Sequence, residues 1–457
     1  MGANESANQY EDLCYTNKFD NMKISSLPTR YSPLNGIDQK SHPFSDLMDD
    51  DKSLFENHHK SSHKKKAKFN SDSDNDSSSG GTSPNNNMVK NHPTRKIAKM
   101  PYQGIWSMVS TNGFKPEPRT GHAYTYVPSE NAIFIAYGKS DDGRLLKDAW
   151  LLHLSTMEWE CVTFDMLSPR THVSATLVGK KIFLFGGKDN SNKFFADLHF
   201  VDLAHRIVKE ISPVQFENGC PSPRSSPTLF HSDNSVFVWS GYNGRTLTDY
   251  YEYKIDSNKW EKLADPGFEG RRISLYASSG YDQSTSQFSI GSQKSDLHQS
   301  FEKQFAFGCH SNSDIIEFDP QTKKLNKIKC TGHRPRGNLD YASMSVQNNF
   351  IFVTGGKHSS EFTYLYALDL ATKNWFKFHV VPDDKTVTAN EGNVTETGHF
   401  ELPRMNGQTM VYSPQEMALY AVLGSRYFQE CPVQKISLAT ALATLNHRND
   451  MRAMLYL

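Results

Sequence analysis

The chain has 457 residues, and its 50 Lys and Arg residues balance 50 Asp and Glu residues, so the formal net charge is zero. This balance argues against nucleic acid or an anionic membrane surface as the main ligand, because either would favour a basic excess. No apolar run approaches the roughly 18 residues of a membrane-spanning helix, and the N-terminal residues lack the apolar segment of a secretory signal. Six widely spaced cysteines form no CxxC pair and indicate neither a zinc site nor a disulfide framework. We therefore expect a cytoplasmic or nuclear protein without a membrane span or a cofactor.

Residues 1–104 form a polar arm that we predict to be disordered. Only 26 of the first hundred residues are hydrophobic or aromatic, against 37% of the whole chain. Such a segment buries too little apolar surface to offset its loss of conformational entropy. Within it, Lys64, Lys65, Lys66 and Lys68 precede an acidic serine run, which is typical of a nuclear-import patch that phosphorylation could tune. The alternative, which we favour, is a solvated charged tail.

A repeated pattern begins at Trp106 and recurs through the rest of the chain. Each copy has a Pro-Arg turn, an alternating apolar strand, a more continuous apolar strand that ends in Gly, a polar loop, and a third strand with aromatic residues. A Trp in a fourth strand often completes the copy. The six copies are Pro118–Val162, Pro169–Ile211, Pro223–Leu263, a degraded copy at Arg272–Ile328, Pro335–Phe378, and a last copy that begins at Pro403.

The opening arginines recur first at intervals of 51, 54 and 48 residues and then, because of insertions, at 64 and 68. Four short strands per copy at a period near 50 are typical of propeller blades. A glycine or glycine pair ends the second strand at Gly138, Gly186-Gly187, Gly241, Gly308, Gly355-Gly356 and Gly424, and the fourth-strand tryptophans are Trp159, Trp260 and Trp375. On these motifs, the chain resembles the kelch-repeat proteins, which implies an all-β, six-bladed kelch-type propeller over residues 105–440. We expect the glycines to allow positive φ near the crowded channel and the tryptophans to pack between blades.

The two ends of the repeat region predict how the ring closes. The segment around Trp106 has the pattern of a fourth strand, whereas the sixth copy lacks one. We therefore predict that the Trp106 strand completes blade six and leaves no exposed edge. In residues 441–457, Leu442 and Leu445 have loosely helical spacing, which indicates a short C-terminal helix.

Two insertions lengthen the later copies. Residues 281–304 are rich in Ser and Gln and lengthen the connection between the first and second strands of blade four. Residues 382–401 follow blade five, carry an acidic excess and overhang the face of the strand-entry turns. They are an acidic lid, a docking loop for a basic partner or an inert surface loop, and we favour the last.

The candidate binding site is the face on which the strand-entry turns and the loops between second and third strands meet, here called the first face. Clustered arginines around a shallow concavity suit acidic or phosphorylated peptides through bidentate pairing. The alternative is that the entry arginines only hold their turns, and the sequence leaves both interpretations open. The candidate residues on this face are Arg119, Arg170, Arg224, Arg336, Arg404, Arg144, Asn190, Asn243, Arg245, His358, Arg426 and Tyr427.

These observations predict a non-catalytic scaffold, monomeric, that binds a protein or peptide. The alternative is a metal-dependent enzyme, since some kelch-type propellers are copper or iron enzymes. Iron-dependent specifier proteins use a Glu-xxx-Asp-xxx-His line, and the nearest match here is Glu252, Asp256 and Trp260, in which Trp replaces the third ligand. The histidines of the blades form no convincing ligand set, so we expect neither a catalytic residue nor a metal.

Overall fold

The structure is a computed structural model, and its described residues belong to one compact unit. Those residues are 96–100, 102–212, 219–266, 280–281, 303–307, 315–335, 342–347, 350–355, 364–389, 393–403, 407–424 and 433–447. The predicted arm 1–104 lies outside the described residues up to residue 95, with its lysine patch, as does most of the 281–304 insertion. Its last residues are not disordered as predicted, because Tyr102 is buried in an apolar cluster and a strand begins at Gly104. No helix within the described ranges is both long enough and apolar enough to cross a membrane.

Blade 1 is an antiparallel sheet of four strands in the order β3-β4-β6-β7. A strand that precedes it in the chain, β1 (Gly104–Val109), belongs to another sheet. The strands of blade 1 and of its entry are β2 (Arg119–Thr120), β3 (Ala123–Val127), β4 (Ala132–Ala136), β5 (Lys139–Ser140), β6 (Ala149–His153) and β7 (Glu158–Thr163). All five residues of β4 are buried, in agreement with its continuous apolar pattern.

Blades 2 and 3 repeat this four-stranded antiparallel arrangement. Blade 2 contains β8 (Ser174–Val178), β9 (Lys181–Phe185), β10 (Leu198–Asp202) and β11 (Ile207–Ile211). Blade 3 contains β12 (Thr228–Ser232), β13 (Ser235–Trp239), β14 (Tyr250–Lys254) and β15 (Lys259–Lys262).

Blade 4 also has four strands, although its channel-facing strand is short within the described residues. It contains β16 (Gly280–Tyr281), β17 (Gln304–Phe307), β18 (Ile315–Asp319) and β19 (Lys324–Ile328). Blade 5 contains β20 (Thr331–Gly332), β21 (Ala342–Gln347), β22 (Phe350–Gly355), β23 (Leu365–Asp369) and β24 (Asn374–Phe378). Its fifth strand, β20, pairs in parallel with the outer strand β24 and covers that edge.

Blade 6 joins the two ends of the repeat region. Its own strands are β25 (Val380–Pro382), β26 (Thr409–Ser413), β27 (Ala418–Val422) and β28 (Val433–Ser437). The earlier strand β1 pairs antiparallel with β28, with Trp106 opposite Ile436, and in parallel with β25. The N-terminal strand therefore lies in the same sheet as the C-terminal strands, as the pattern around Trp106 predicts.

The six sheets form a ring around a central channel, which confirms the predicted six-bladed propeller. Neighbouring inner strands contact each other from β26 to β3, from β3 to β8 and from β8 to β12, and again from β16 to β21 and from β21 to β26. Within the described part of the chain, buried apolar residues form one hydrophobic cluster at each of the six blade interfaces. The tryptophans at positions 159, 260 and 375 each pack against the preceding blade, as expected.

The helix α1 (Ala439–His447) follows β28 directly. Its Ala441, Leu442 and Leu445 are buried in the cluster between blades 5 and 6. Burial of this apolar face stabilises a helix that would be too short to form alone in water.

The segment that follows β25 is neither a lid nor an inert loop. Val387, Val394, Phe400 and Leu402 are buried in the cluster between blades 5 and 6. The Phe400 ring lies 5.4 Å from the Trp106 ring, centroid to centroid. The sequence could not show this, because the partner of Phe400 lies almost 300 residues earlier in the chain. The described parts of this segment, residues 383–389 and 393–402, therefore pack in the same cluster as Trp106 of the closing strand β1.

Candidate functional site

The first face is built from the same two segments in blades 1, 2 and 3. In each blade, the strand-entry turn pairs with the loop between the second and third strands through a short antiparallel bridge. These bridges join Arg119 to Ser140, Thr171 to Lys188, and Ser225 to Tyr242. The loops are thereby held at equivalent places around the channel.

The entry arginines of these three blades are inside the protein. Arg119 has a side chain that is 0% exposed, and its guanidinium pairs with both carboxylate oxygens of Asp148, whose side chain is 15% exposed. Arg170 also contacts both carboxylate oxygens of its aspartate, Asp197, but through the single nitrogen Nη1, at 2.6 and 2.8 Å. Arg224 pairs with Asp249 at 2.5 and 2.9 Å.

Each of these arginines also binds two backbone carbonyls of its own blade. The Arg119 Nε donates to the carbonyl of Glu117 at 2.9 Å, and its Nη1 donates to the carbonyl of Tyr137 at 3.1 Å. All five donors of a guanidinium point in a fixed fork, which suits this combination of carboxylate and carbonyl acceptors. The arginine therefore ties the entry turn to the end of the second strand.

The backbone of these arginines links neighbouring blades. In three of the glycine motifs, the last glycine donates its backbone N–H to the backbone carbonyl of the entry arginine in the next blade. The three bonds run from Gly138 to Arg170 (3.1 Å), from Gly187 to Arg224 (2.9 Å), and from Gly424 to Arg119 (3.2 Å). The last of these bonds crosses from blade 6 to blade 1 and helps to close the ring.

The ion pairs of Arg119 and Arg170 lower the pKa values of their carboxylate partners. Burial would raise the pKa of Asp148, but hydrogen bonds from Arg119 and its positive charge hold that pKa below its usual value. For Asp197, burial likewise opposes ionisation, while His199 and Arg170 together lower the pKa. The side chains of Arg119, Arg170 and Arg224 are at most 3% exposed, so they offer almost no surface to a partner.

The candidate residues predicted from the sequence do not include the acidic partners of the three arginines. Asp148, Asp197 and Asp249 each stand directly before the third strand of their blade. An aspartate at this position, in step with the opening arginine, is the sequence signal that would have identified the pairs.

Four other candidate residues lie in the loops of the first face. Arg144 has a side chain that is 61% exposed and pairs with Asp142 and Glu117. The exposed Asn190 donates to the carbonyl of Gly143, which joins the loops of blades 1 and 2. In blade 3, Asn243 is half-buried.

Arg245 differs from the other arginines of this face. Its side chain is exposed, and it forms no ion pair with any residue of the described ranges. The remaining candidates lie outside the described residues: Arg336, His358, Arg404, Arg426 and Tyr427.

One group of described side chains has the donor types of a metal site. The ligand atoms of Glu130, His153 and Glu160 lie within 4.8 Å of one another. The Arg206 guanidinium, however, binds both carboxylates, at 3.0 Å from Glu130 and 2.9 Å from Glu160. The positive charge of Arg206 offsets one of the two carboxylate charges, and the group forms an ion-pair network between blades 1 and 2.

The Glu252-xxx-Asp256-xxx-Trp260 pattern, which resembles the ligand pattern of iron-dependent specifier proteins, also has residues that make other contacts. Glu252 is buried and accepts hydrogen bonds from Ser235 at 2.7 Å and from Lys323 at 2.8 Å. Trp260 packs in the cluster between blades 2 and 3. These residues stabilise blade interfaces rather than offering an open coordination position.

Comparison with known proteins identifies the repeat. Residues 80–279 match the KLHDC2/KLHL20/DRC7 Kelch-repeats domain. An N-(sulfonatooxy)prop-2-enimidothioate sulfolyase from Thlaspi arvense is 22% identical over 61% of this chain and 85% of its own length.

Two further relatives match over shorter stretches. Acyl-CoA-binding domain-containing protein 4 from Arabidopsis thaliana is 33% identical over 36% of this chain and 24% of its own length. Host cell factor 1 from Homo sapiens is 25% identical over 35% of this chain and 9% of its own length. The chain therefore spans a minor part of both of these relatives. The domain match over residues 80–279, together with six sheets that share one strand order, shows that the chain contains a kelch-repeat domain.

Proposed function

We propose that the chain is a protein-binding module that takes up a protein or peptide partner on its first face. The observation that carries this proposal is the regular presentation of exposed polar loops by blades 1, 2 and 3 on a rigid, bridged base. Rigid elements that display variable loops are the usual way in which such scaffolds bind partners.

We further propose that the partner segment is acidic or phosphorylated. Arg245 supports this preference, because an exposed guanidinium without an ion pair to the described residues is free to bind a carboxylate or phosphate in bidentate fashion. Arg144 contributes less, since it is already shared between Asp142 and Glu117. The propeller would act as a monomer in the cytoplasm or the nucleus.

The test compares charge reversal on the two faces. Partners are recovered from extract with the full chain, with Arg245→Glu, and with Lys180→Glu, an exposed residue in the hairpin between β8 and β9 on the opposite face. We expect Arg245→Glu to reduce recovery about tenfold, as for the loss of one charge-assisted contact. Lys180→Glu should leave recovery unchanged.

A partner that Arg245→Glu retains and Lys180→Glu loses would contradict the proposed face. Phosphatase treatment of the extract separates the two kinds of acidic ligand, because only a phosphorylated partner would then be lost.

A metal-dependent enzyme is the second candidate, since the relative named as a sulfolyase matches over 85% of its own length. We expect elemental analysis of the purified chain to find no stoichiometric metal, because Arg206 and Lys323 already pair with Glu130 and Glu252, respectively. A stoichiometric metal would favour the enzyme over the scaffold.

A further inference from the structure

The central channel contains a cavity of about 380 Å³ at the end opposite the first face. Its walls are the inner strands of blades 1, 2, 3, 5 and 6, and the hairpins that join first and second strands surround it, with Pro128, Gly179, Asp233 and Pro414 among the lining residues. This volume falls in the range of pockets that hold small ligands. The cavity is therefore large enough for a side chain of a peptide or for a free small molecule.

Most polar groups around this cavity are already used between blades. The Thr176 Oγ1 lies 2.9 Å from the His231 Nδ1, and the Ser345 Oγ accepts the backbone N–H of Tyr412 at 2.7 Å. The Gln304 side chain exchanges two hydrogen bonds with the backbone of His231. These contacts provide hydrogen-bond partners for polar groups at the inner edges of the sheets.

Two acceptors in the lining remain without a partner. Gln347 is 6% exposed, and its Oε1 is buried without a hydrogen bond, although its side chain bonds to Tyr412. The carboxylate of Asp233, in the hairpin between β12 and β13, has no hydrogen bond or ion pair with a described residue. The buried Gln347 Oε1 is costly without a donor, and an N–H group of a ligand would satisfy it. Asp233 is exposed, and its carboxylate adds a negative charge to the lining.

The charge of the lining favours a cation. No lysine or arginine lines the cavity, and Asp233 is its one carboxylate among the described residues. Burial lowers the pKa of His231 to about 4, so this histidine is neutral at pH 7 and does not repel a positive ligand.

Aromatic rings add a second attraction for a cation. Tyr124, Tyr126 and Tyr412 belong to the lining. Burial raises the pKa of Tyr412 to about 12, and the ring therefore stays uncharged at neutral pH. The faces of aromatic rings attract ammonium and guanidinium groups, more strongly where water is excluded.

We propose that this cavity binds an organic cation with N–H donors, namely a guanidinium or a primary ammonium group. The Gln347 Oε1 and the Asp233 carboxylate accept its hydrogen bonds, and the tyrosine rings contact its apolar stem. This site lies at the other end of the channel from the proposed partner face. A negative result for the partner face would therefore leave the cation site untouched, and the reverse also holds.

The test is calorimetric titration of the full chain with three probes. Agmatine represents a free cation, the peptide acetyl-Gly-Arg-Gly-amide represents a side chain, and the same peptide with citrulline in place of arginine is the neutral control. We expect agmatine, the arginine peptide or both to bind, and the citrulline peptide to bind at least about tenfold more weakly, since it has no charge. Binding of agmatine alone identifies a free cation as the ligand, and binding of the peptide identifies a side chain.

Variants link the binding to the cavity. Asp233→Asn removes the negative charge, and Gln347→Leu removes the amide acceptor, so each should weaken binding about tenfold. Glu158→Gln is the matched control, since it removes an exposed carboxylate at the outer rim of blade 1 and should have no effect. Asp233 lies in an exposed hairpin, so its variant stays informative even if Gln347→Leu unfolds.

Absence of binding by both cations would overturn the proposal. So would equal binding of the arginine and citrulline peptides, or cation binding that Asp233→Asn leaves unchanged.

Discussion

At the scale of single residues, blade 1 contains one arginine in a buried ion pair and another in an exposed ion pair. Arg119 is buried with Asp148, whereas Arg144 is exposed with Asp142 and Glu117. A buried pair that loses one member leaves an uncompensated charge, while an exposed pair is screened by water. The two arginines should therefore differ sharply in their contribution to stability.

This difference gives the first prediction. Arg119→Lys should lower the free energy of unfolding by about 3 kcal/mol, because an ammonium group cannot replace the bidentate pair and the carbonyl bonds. Arg144→Lys, the matched control, should change it by less than about 0.5 kcal/mol. Urea denaturation of both variants measures the two values, and equal losses would contradict the buried role of Arg119.

The same pairs predict how stability depends on pH. Because the pKa values of Asp148 and Asp197 are lower in the folded state than in the unfolded chain, their contribution is complete above the unfolded value of about 3.9. It is lost as the pH falls below that value and through the folded pKa values. We expect stability measured from pH 7 to pH 3 to fall more steeply for the native chain than for the double variant Arg119→Met/Asp148→Asn. Parallel curves would show that this pair does not contribute.

The glycine motif gives a third prediction at this scale. Gly187 has a φ of 99°, and a Cβ there would lie 2.6 Å from the Val173 Cγ2 and 2.9 Å from the Thr171 carbonyl oxygen. Gly244 has a similar φ of 102°, but no atom lies within 4 Å of its added Cβ. Gly187→Ala should therefore cost about 2 kcal/mol more than Gly244→Ala in thermal unfolding. A difference near zero would mean that backbone strain alone, without the close approach, explains the glycine.

At the scale of elements, the strand β1 is held on both sides. β28 pairs with it antiparallel, β25 pairs with it in parallel, and Phe400 packs on its Trp106. Residues from 383–389 and 393–402 pack in the same hydrophobic cluster as the leucines of α1.

Phe400→Ala tests this role of the insertion. Phe400 is 4% exposed, and removal of a buried phenylalanine ring typically costs about 3–5 kcal/mol. Phe164→Ala is the control, because Phe164 is 54% exposed and its loss should cost below about 0.5 kcal/mol. A Phe400→Ala variant as stable as the control would contradict a structural role for residues 382–402.

The elements were easier to predict than the contacts between them. Strand order and the place of β1 follow from local periodicity and from the repeat, since both depend on residues close in sequence. The burial of Arg119 depends on Asp148, and the burial of Phe400 depends on Trp106, so neither can be derived from a single copy. Gln347 and Asp233 line one cavity because blades 5 and 3 border the same channel, which a single copy of the repeat does not reveal.

At the scale of the whole molecule, six similar sheets share one pattern of closure. Inter-blade hydrogen bonds from glycine motifs run between blades 1, 2 and 3 and from blade 6 back to blade 1. A ring of this kind loses its cooperativity when one contact between blades is broken, because each blade buries its apolar faces against two neighbours. We therefore expect the stability of the whole ring to depend on closure by β1.

Two truncations test that claim most directly by thermal unfolding. Removal of residues 1–95 leaves Ala98, which donates to the Gly398 carbonyl, and the whole of β1 in place. We predict that this truncation leaves the Tm unchanged, whereas removal of residues 1–109, which takes away β1 and Trp106, abolishes the cooperative transition. A transition that survives removal of residues 1–109 with the same Tm would contradict closure of the propeller by its N-terminal strand.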